Sequence, residues 1–387
     1  MRRNLSRVST EVCVVGRHLP PCGRPLPLCQ TWTMARASRS DVARLAGVAP
    51  TTVSNVLNGR AEALRISPAT VERIRAAAQE LSYVPQASAR ALRGSPSRTL
   101  GLLLAALPPS PYVPVVYDVL TAAIVQAQLR EHLLFPVVQP EHGEDTAYVD
   151  QMLADVDLAG VVCEYSPRNA LAGQRLVDMD VPVVWMSLDS PSEQRPGIAH
   201  VHADERPGVR DVLSRLAIGE DQRLGVLVGP VYRTERLRVA DELFPGRVEL
   251  IEAESWLPDG GMAATRRALT DHRDLGALFC ADDLLAVGAL HACADLGLTV
   301  PDDMSVVGFG GYNLSGYGHS ELTTVHWPLR DLAATAIDTL VSRLASPRSL
   351  PSAAAAPVTS VLPSTAVVRG SARLAPNPLR GTEAAPR

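Results

Sequence analysis

The chain has 387 residues, room for two to three domains at roughly 150 residues each, and 46% are hydrophobic, which excludes a wholly disordered protein. Arginine supplies all 37 basic residues, unevenly: residues 1–98 carry 15 arginines against 5 acidic residues, and residues 99–387 carry 22 against 36. A net charge of −4 therefore hides a basic leading part, suited to a polyanion, ahead of an acidic remainder. No apolar run is long enough to cross a membrane, and Val12–Val15 is too short for the apolar stretch of a secretory leader, so a cytoplasmic protein is expected.

Residues 1–37 are rich in Arg and Pro and lack periodicity, which predicts a disordered extension, with Met1 and Met34 both standing as starts. From residue 38 to 85 the pattern is helical. Asp41–Ala46 places Val42, Leu45 and Ala46 on one face, and Gly47 ends it. Pro50 opens a second helix with an apolar stripe of Val53, Val56 and Leu57, closed by Asn58-Gly59. Ser67 caps a third, with Pro68 at its first position and Val71, Ile74, Ala78 and Leu81 along one face. Residues 86–98 read as a short, weakly apolar helix over Gln86–Arg93 and then a linker through Gly94-Ser95-Pro96.

From Thr99 short apolar runs recur at Leu100–Ala105, Leu133–Val138, Gly160–Cys163, Val183–Met186, Leu224–Val228, Val248–Ile251, Ala277–Cys280 and Ser305–Val307. Amphipathic stretches such as Val116–Leu129, Ala170–Met179, Met262–Leu269 and Leu284–Leu296 separate them. Strands alternating with crossover helices predict parallel sheets covered on both faces, and residues 99–373 are long enough for two α/β lobes. Val358–Val368 reads as one strand, and residues 374–387 as a disordered tail. The six cysteines show neither C-x-x-C nor zinc spacing and read as thiols of a reducing compartment.

Helix, glycine-containing turn and second helix over Asp41–Leu57 have the order of a helix-turn-helix. With Val53 and Val56 turned inward, Thr51, Thr52 and Asn55 point outward toward base edges or phosphates, and Ser54 can donate to a phosphate. An ordinary three-helix unit with a solvated polar face is the rival reading; the basic leading part favours DNA.

The run Asp41-Val-Ala-Arg-Leu-Ala-Gly-Val-Ala-Pro-Thr-Thr-Val-Ser-Asn-Val-Leu-Asn58 resembles the signature of the LacI/GalR family of bacterial transcription regulators. The likeness continues through Ser67–Ile74, Leu81–Pro85, Ala87–Arg93, Arg98–Leu103, Val181–Val184, Ala281–Leu290, Ser305–Phe309 and Leu322–Val325. It implies an α + α/β chain: a lambda-repressor-like helix-turn-helix domain with a hinge helix, then a two-lobed core like the periplasmic binding proteins. Its members bind double-stranded DNA operators, and the expected partners are such an operator, a second copy of the chain and a small-molecule effector of sugar-like chemistry. Pro50, Thr51 and Asn55 then match positions that meet the major groove, and Thr52 and Ser54 match phosphate contacts. Leu92 matches a leucine that wedges into the minor groove, flanked by Ala89 and Arg93; a packed linker leucine is the alternative. Dimer symmetry implies a pseudo-palindromic operator, and the usual role is that of a repressor.

In the core the resemblance assigns ligand contacts to Tyr112, Trp256 and Arg236, against packing or surface as the plain alternative for each. Four positions depart from the family pattern. Gly310-Gly311 stands where an acidic pair is usual, Asp282 where Asn is common, and Ser187 where Asp is frequent. Glycine offers no side-chain acceptor, which puts a conventionally bound neutral sugar in doubt. Asp282 reads either as a relocated acceptor or as a solvated helix-entry carboxylate.

Enzymatic readings find little support. Gly308-Phe-Gly-Gly-Tyr312 is glycine-rich, but no G-x-G-x-x-G opens a helix, and a phosphate-binding loop lysine cannot exist in a lysine-free chain. No G-x-S-x-G occurs, and His200-x-His202 lacks further metal ligands and reads as surface or strand. The expectation is a regulator that is not an enzyme, without cofactor or metal. An exported solute receptor of the same lobed shape would leave the DNA-reading head unexplained.

Overall fold

A computed structural model describes residues 37–57, 60–81, 83, 97–104, 114–139, 146–166, 169–188, 198–230, 235–314, 318, 321–345 and 359–376. The expected N-terminal extension up to residue 36, the hinge helix and the end of the tail lie outside these residues. The chain divides into two units, Met1–Arg93 and Gly94–Arg387.

Helix α1 (Arg39–Ala46) begins where the Ser38 hydroxyl accepts from the Asp41 N–H and the Asp41 carboxylate accepts from the Ser38 N–H at 2.9 Å, a reciprocal cap. It ends at Gly47, whose φ of +66 is the left-handed conformation that favours glycine. Helix α2 (Pro50–Leu57) follows after the three residues Gly47, Val48 and Ala49, and α3 (Pro68–Glu80) is capped by Ser67 with Pro at its start. Val42 and Ala46, Val53 and Val56, and Ile74 and Ala78 form the shared core. Leu45, expected on the inward face, is 48% exposed, and Ala43 is buried instead. At 3.6 residues per turn Leu45 sits about 100° round the helix from the centre of the Val42–Ala43–Ala46 stripe.

The body begins with β1 (Thr99–Leu104), α4 (Pro114–Leu129), β2 (Leu133–Val138), α5 (Ala147–Asp155), β3 (Gly160–Glu164), α6 (Asn169–Asp178), β4 (Val183–Ser187) and β5 (Ala199–Asp204). It continues through α7 (Arg206–Ser214), β6 (Arg223–Val228), α8 (Glu235–Leu243), β7 (Val248–Glu252), α9 (Pro258–Asp271), β8 (Leu275–Cys280), α10 (Asp283–Asp295), β9 (Ser305–Gly310) and β10 (Thr323–His326). The last elements are α11 (Leu329–Ala345), β11 (Thr359–Pro363) and β12 (Thr365–Val367). Two six-stranded sheets result, ordered β11-β5-β4-β3-β1-β2 and β12-β10-β9-β8-β6-β7, parallel throughout except for β10 with β12. Aliphatic residues fill the inner strands: β1, β3, β4, β6, β8 and β9 are buried along nearly their whole length.

The chain passes between the sheets three times. It crosses after β5 at Glu205, after β10 at Trp327-Pro328, where α11 returns to pack on α4, β3, β4 and β5, and after β11 at Ser364. Only Ser364 separates the end of β11 from the start of β12, and Thr365 of β12 pairs with His326 at the end of β10, so the carboxyl ends of the two sheets face the same junction. Ser364 holds two crossings together: its N–H donates to the Asp204 carbonyl and its hydroxyl to the Glu205 carbonyl, both at 2.8 Å, and the Gly208 N–H donates to its oxygen at 3.1 Å. A Cβ on Gly208 would stand 2.6 Å from Val325, so only glycine lets α7 approach this closely.

Three readings of the sequence change. Val358–Val368 is not one strand: it breaks at Ser364 into two strands that serve different sheets. A strand missing from the expected run, β5, is present, its polar letters having hidden it: of the two readings of His200 and His202, surface or strand, it is the strand that holds, and both are buried there. Leu374, expected in a disordered tail, forms an isolated bridge with Leu216. Among the described residues no helix is long and apolar enough to cross a membrane, and Cys163, Cys280 and Cys293 are free and buried.

Candidate nucleic-acid interface and interlobe cleft

In the head, α2 is held by the inward Val53 and Val56, which fixes the direction of its polar residues. Pro50 and Thr51 are exposed, and Thr52, Ser54 and Asn55 are half-buried along the same short helix. Arg39, Arg44, Arg60, Arg65, Arg73 and Arg75 are all exposed on the unit. Within residues 38–83 these six arginines face four acidic residues, so most of the leading part's positive charge belongs to the segments flanking the three helices. Ala89, Leu92 and Arg93 lie outside the described residues.

In the body, the carboxyl ends of β5, β8 and β9 bring together five buried polar side chains: Glu205, Arg236, Asp282, Asp283 and Tyr312. Arg236, on α8, forms an ion pair with Glu205 and donates to the Ala281 carbonyl at 2.5 Å. Its guanidinium carbon lies 3.5 Å from the Phe309 ring centroid and 4.7 Å from that of Trp327. Trp327, at the second crossing, donates from its indole Nε1 to the Leu188 carbonyl of the first lobe at 3.0 Å. The planar fork expected to grip a ligand is thus engaged with a carboxylate at the first crossing. Glu205 escaped sequence reading because only the fold brings it to Arg236.

Asp282 caps α10, accepting from the Leu284 N–H at 2.8 Å through Oδ1. Its Oδ2 accepts from the Tyr312 hydroxyl at 3.0 Å. It is therefore buried, not the solvated helix-entry carboxylate of one reading. Asp283 accepts from the Tyr312 N–H at 2.9 Å and the Thr324 hydroxyl at 2.5 Å. Burial, reinforced by the neighbouring Asp283 charge, pushes the Asp282 carboxyl up to about 7, and burial likewise raises Asp283. The Tyr312 phenol is held well above its ordinary value by burial and by the two carboxylates.

Glycines shape the cleft's floor. A Cβ on Gly229, at the end of β6, would lie 2.3 Å from the Trp256 indole, so the half-buried ring rests directly on backbone there. Gly310 and Gly311 have φ of +133 and +73, and a Cβ on Gly310 would stand 2.5 Å from the Tyr312 ring. The glycine pair that removed the acidic acceptors is thus what lets Tyr312 fold back over β9; an aromatic directly after two glycines was the available signal. Ser187 ends β4, 1% exposed, and its hydroxyl has no partner among the described residues. Tyr112 lies outside the described residues. Among the described residues no cluster of three or more metal-ligating side chains occurs.

Residues 40–86 match the family described as "Bacterial regulatory proteins, lacI family", and residues 227–372 match "Periplasmic binding protein-like domain". The HTH-type transcriptional repressor PurR of Edwardsiella ictaluri is 30% identical over 328 residues, covering 81% of this chain and 92% of PurR. The solved "transcriptional regulator CelR-cellobiose complex" is 26% identical with a TM-score of 0.57, covering 87% of this chain and 100% of that one. The lac repressor dimer bound to operator and the anti-inducer ONPF is 23% identical with a TM-score of 0.68, covering 88% and 99%; at that identity the likeness concerns the fold.

Proposed function

The chain belongs to the lacI family of bacterial regulatory proteins, and from that premise we propose that it is a cytoplasmic, non-enzymatic repressor that binds a pseudo-palindromic operator as a homodimer. The observation that carries this reading is α2: its apolar side is locked into a three-helix core, and Pro50, Thr51, Thr52, Ser54 and Asn55 form the remainder of a helix short enough to enter the major groove. Pro50, Thr51 and Asn55 contact base edges in this reading, and Thr52 and Ser54 contact phosphates. Ala89, Leu92 and Arg93 serve a hinge segment, with Leu92 as an apolar wedge in the minor groove. Relatives named as transcriptional repressors and regulators support the role.

An apolar face supports the dimer. Tyr117, Val125 and Leu129 on α4 and Leu133 and Phe135 on the edge strand β2 are all at least 40% exposed, an arrangement that a second copy would cover. Effector control is proposed for the cleft at the strand ends, where Ser187, Arg236, Trp256 and Asp282, together with Tyr112, are the assigned contacts.

The test is selection of random duplex DNA on the purified 387-residue chain at two salt concentrations. A pseudo-palindrome with a deformable central step, kept at the higher salt, is the expected product. Binding that enriches no motif and disappears with salt is phosphate attraction alone and overturns the reading.

A further inference from the structure

In the open α/β sheets of the body, the carboxyl ends of the strands are where a ligand is met. That place holds a side chain of the protein itself. Tyr312 is only 8% exposed, its ring lies on Gly310, and its hydroxyl reaches Asp282. Two consecutive left-handed glycines make the turn that brings it there, and a side chain on Gly310 would collide with the ring. A tyrosine serving only as core filling would gain from lying in an apolar environment with its hydroxyl at the rim. This one directs both its N–H and its O–H at the buried carboxylates of Asp283 and Asp282, groups that are costly to bury without such donors.

The glycine turn that carries the ring is also bonded to the second crossing. Gly310 accepts from the Trp327 N–H at 3.1 Å, and the Trp327 indole is bonded across to Leu188 of the first lobe. Arg236, between Phe309 and Glu205, ties the same neighbourhood to the first crossing.

We propose that Tyr312 is a tethered occupant of the interlobe cleft: its phenol takes the place of a small-molecule ligand and holds the crossings, and the site without it accepts a free phenol. This rests on reading the cleft as the effector site. It follows that the native chain holds its lobes together without a neutral sugar, and that the chemistry complementary to the site is a planar ring bearing one hydroxyl.

The experiment compares the full chain with its Tyr312→Ala and Tyr312→Phe forms, using 4-methylphenol (the tyrosine side chain as a free molecule), toluene and a panel of neutral sugars in calorimetric titrations. Hydrogen exchange at the amides of Glu205, Trp327 and Ser364 is measured in parallel. Tyr312→Ala is expected to bind 4-methylphenol about tenfold or more tightly than toluene, because only the former restores the hydrogen bond to Asp282. The native chain and Tyr312→Phe, whose rings still fill the site, are expected to bind neither. In Tyr312→Ala the three crossing amides exchange about tenfold or more faster, and 4-methylphenol slows them again.

Binding without any change at the crossings marks Tyr312 as core filling and overturns the proposal. So does a sugar or 4-methylphenol that binds the native chain, or an absence of binding in a folded Tyr312→Ala. If Tyr312→Ala does not fold alone, 4-methylphenol at millimolar concentration must restore its folding, and failure to do so is equally decisive. Since no arm uses DNA, a failed operator selection would strike the regulator reading and leave this result standing.

Discussion

On α2 of the head, Thr51 faces solvent and Thr52, Ser54 and Asn55 are half-buried, whereas at the strand ends of the body the polar side chains are buried in two bonded sets, Glu205 with Arg236 and Tyr312 with Asp282 and Asp283. The two regions therefore meet a partner on different terms. DNA can be added to the head by replacing water on a rigid helix. A ligand entering the body has to displace protein groups that already satisfy each other, and the free energy of those internal bonds is subtracted from its affinity. Differences in how polar side chains are satisfied thus separate a surface that presents from a site that is already filled.

The sharpest way to break this contrast is to remove one buried partner. Arg236→Met keeps an unbranched side chain at this position but takes away the cation that pairs with Glu205, which is 1% exposed. The expected cost is about 3–5 kcal/mol in urea unfolding of the body, with most of it recovered when Glu205→Leu is added. A loss below about 1 kcal/mol in the single variant would mean that the body is not internally satisfied as described.

Proton linkage tests the same site more gently. Asp282 has its carboxyl raised from 3.8 to about 7, so between those values the folded body holds a proton that the unfolded chain releases. That contribution to stability is fully present below about pH 4 and is lost as the pH rises through about 7. Asp283, raised by the same burial, acts in the same direction. Asp282→Asn keeps a side-chain oxygen for the Leu284 N–H and removes the titration, so its stability curve should be flatter than the native one over this window. Parallel curves would remove Asp282 as the cause.

On the other side of the comparison, Ile74→Ala should cost the head about 2–5 kcal/mol, since Ile74 is fully buried among Val42, Val53 and Val56. Calorimetry should show the head's transition lowered and the body's unchanged, because the two form separate units. A common shift of both transitions would show that the units unfold as one.

Much of this organisation can be read from the letters, and the exceptions share a cause. Caps and turns are local chemistry, so Ser67-Pro68, Gly47 and the stripe Val53–Val56 locate the head's helices directly. The inner strands are legible because burial on both faces makes them continuously aliphatic. β5 carries two histidines and β10 two threonines, so neither shows that signature; their burial comes from neighbours far along the chain. Leu45 failed for a related reason, since on an eight-residue helix one alternative placement of the apolar stripe costs little in pattern and only tertiary packing decides. The cleft is the extreme case. Arg236, Trp256 and Asp282 are conspicuous by motif, but Glu205 and Tyr312 acquire their meaning from crossings and left-handed glycines that no periodicity records.

The smallest effect on the fold, and the cleanest separation of presenting from holding, is expected for Asn55→Ala. Asn55 contributes nothing to the apolar core built by Val53 and Val56, so unfolding of the head should change by no more than about 0.5 kcal/mol. Its amide can both donate and accept toward one base edge, and losing such a pair should weaken the selected operator by about 1–3 kcal/mol and relax the sequence preference at that base pair. No cation is removed, so the dependence of binding on salt should keep its slope. Thr52→Ala gives the counterpart: taking off the hydroxyl proposed to contact phosphate should lower affinity for operator and random duplex alike, without relaxing any single position. Titrating both variants against the operator and against random duplex tells the two outcomes apart. If Asn55→Ala instead lowers both affinities equally, α2 is gripping backbone and the base-reading residue lies elsewhere on the head.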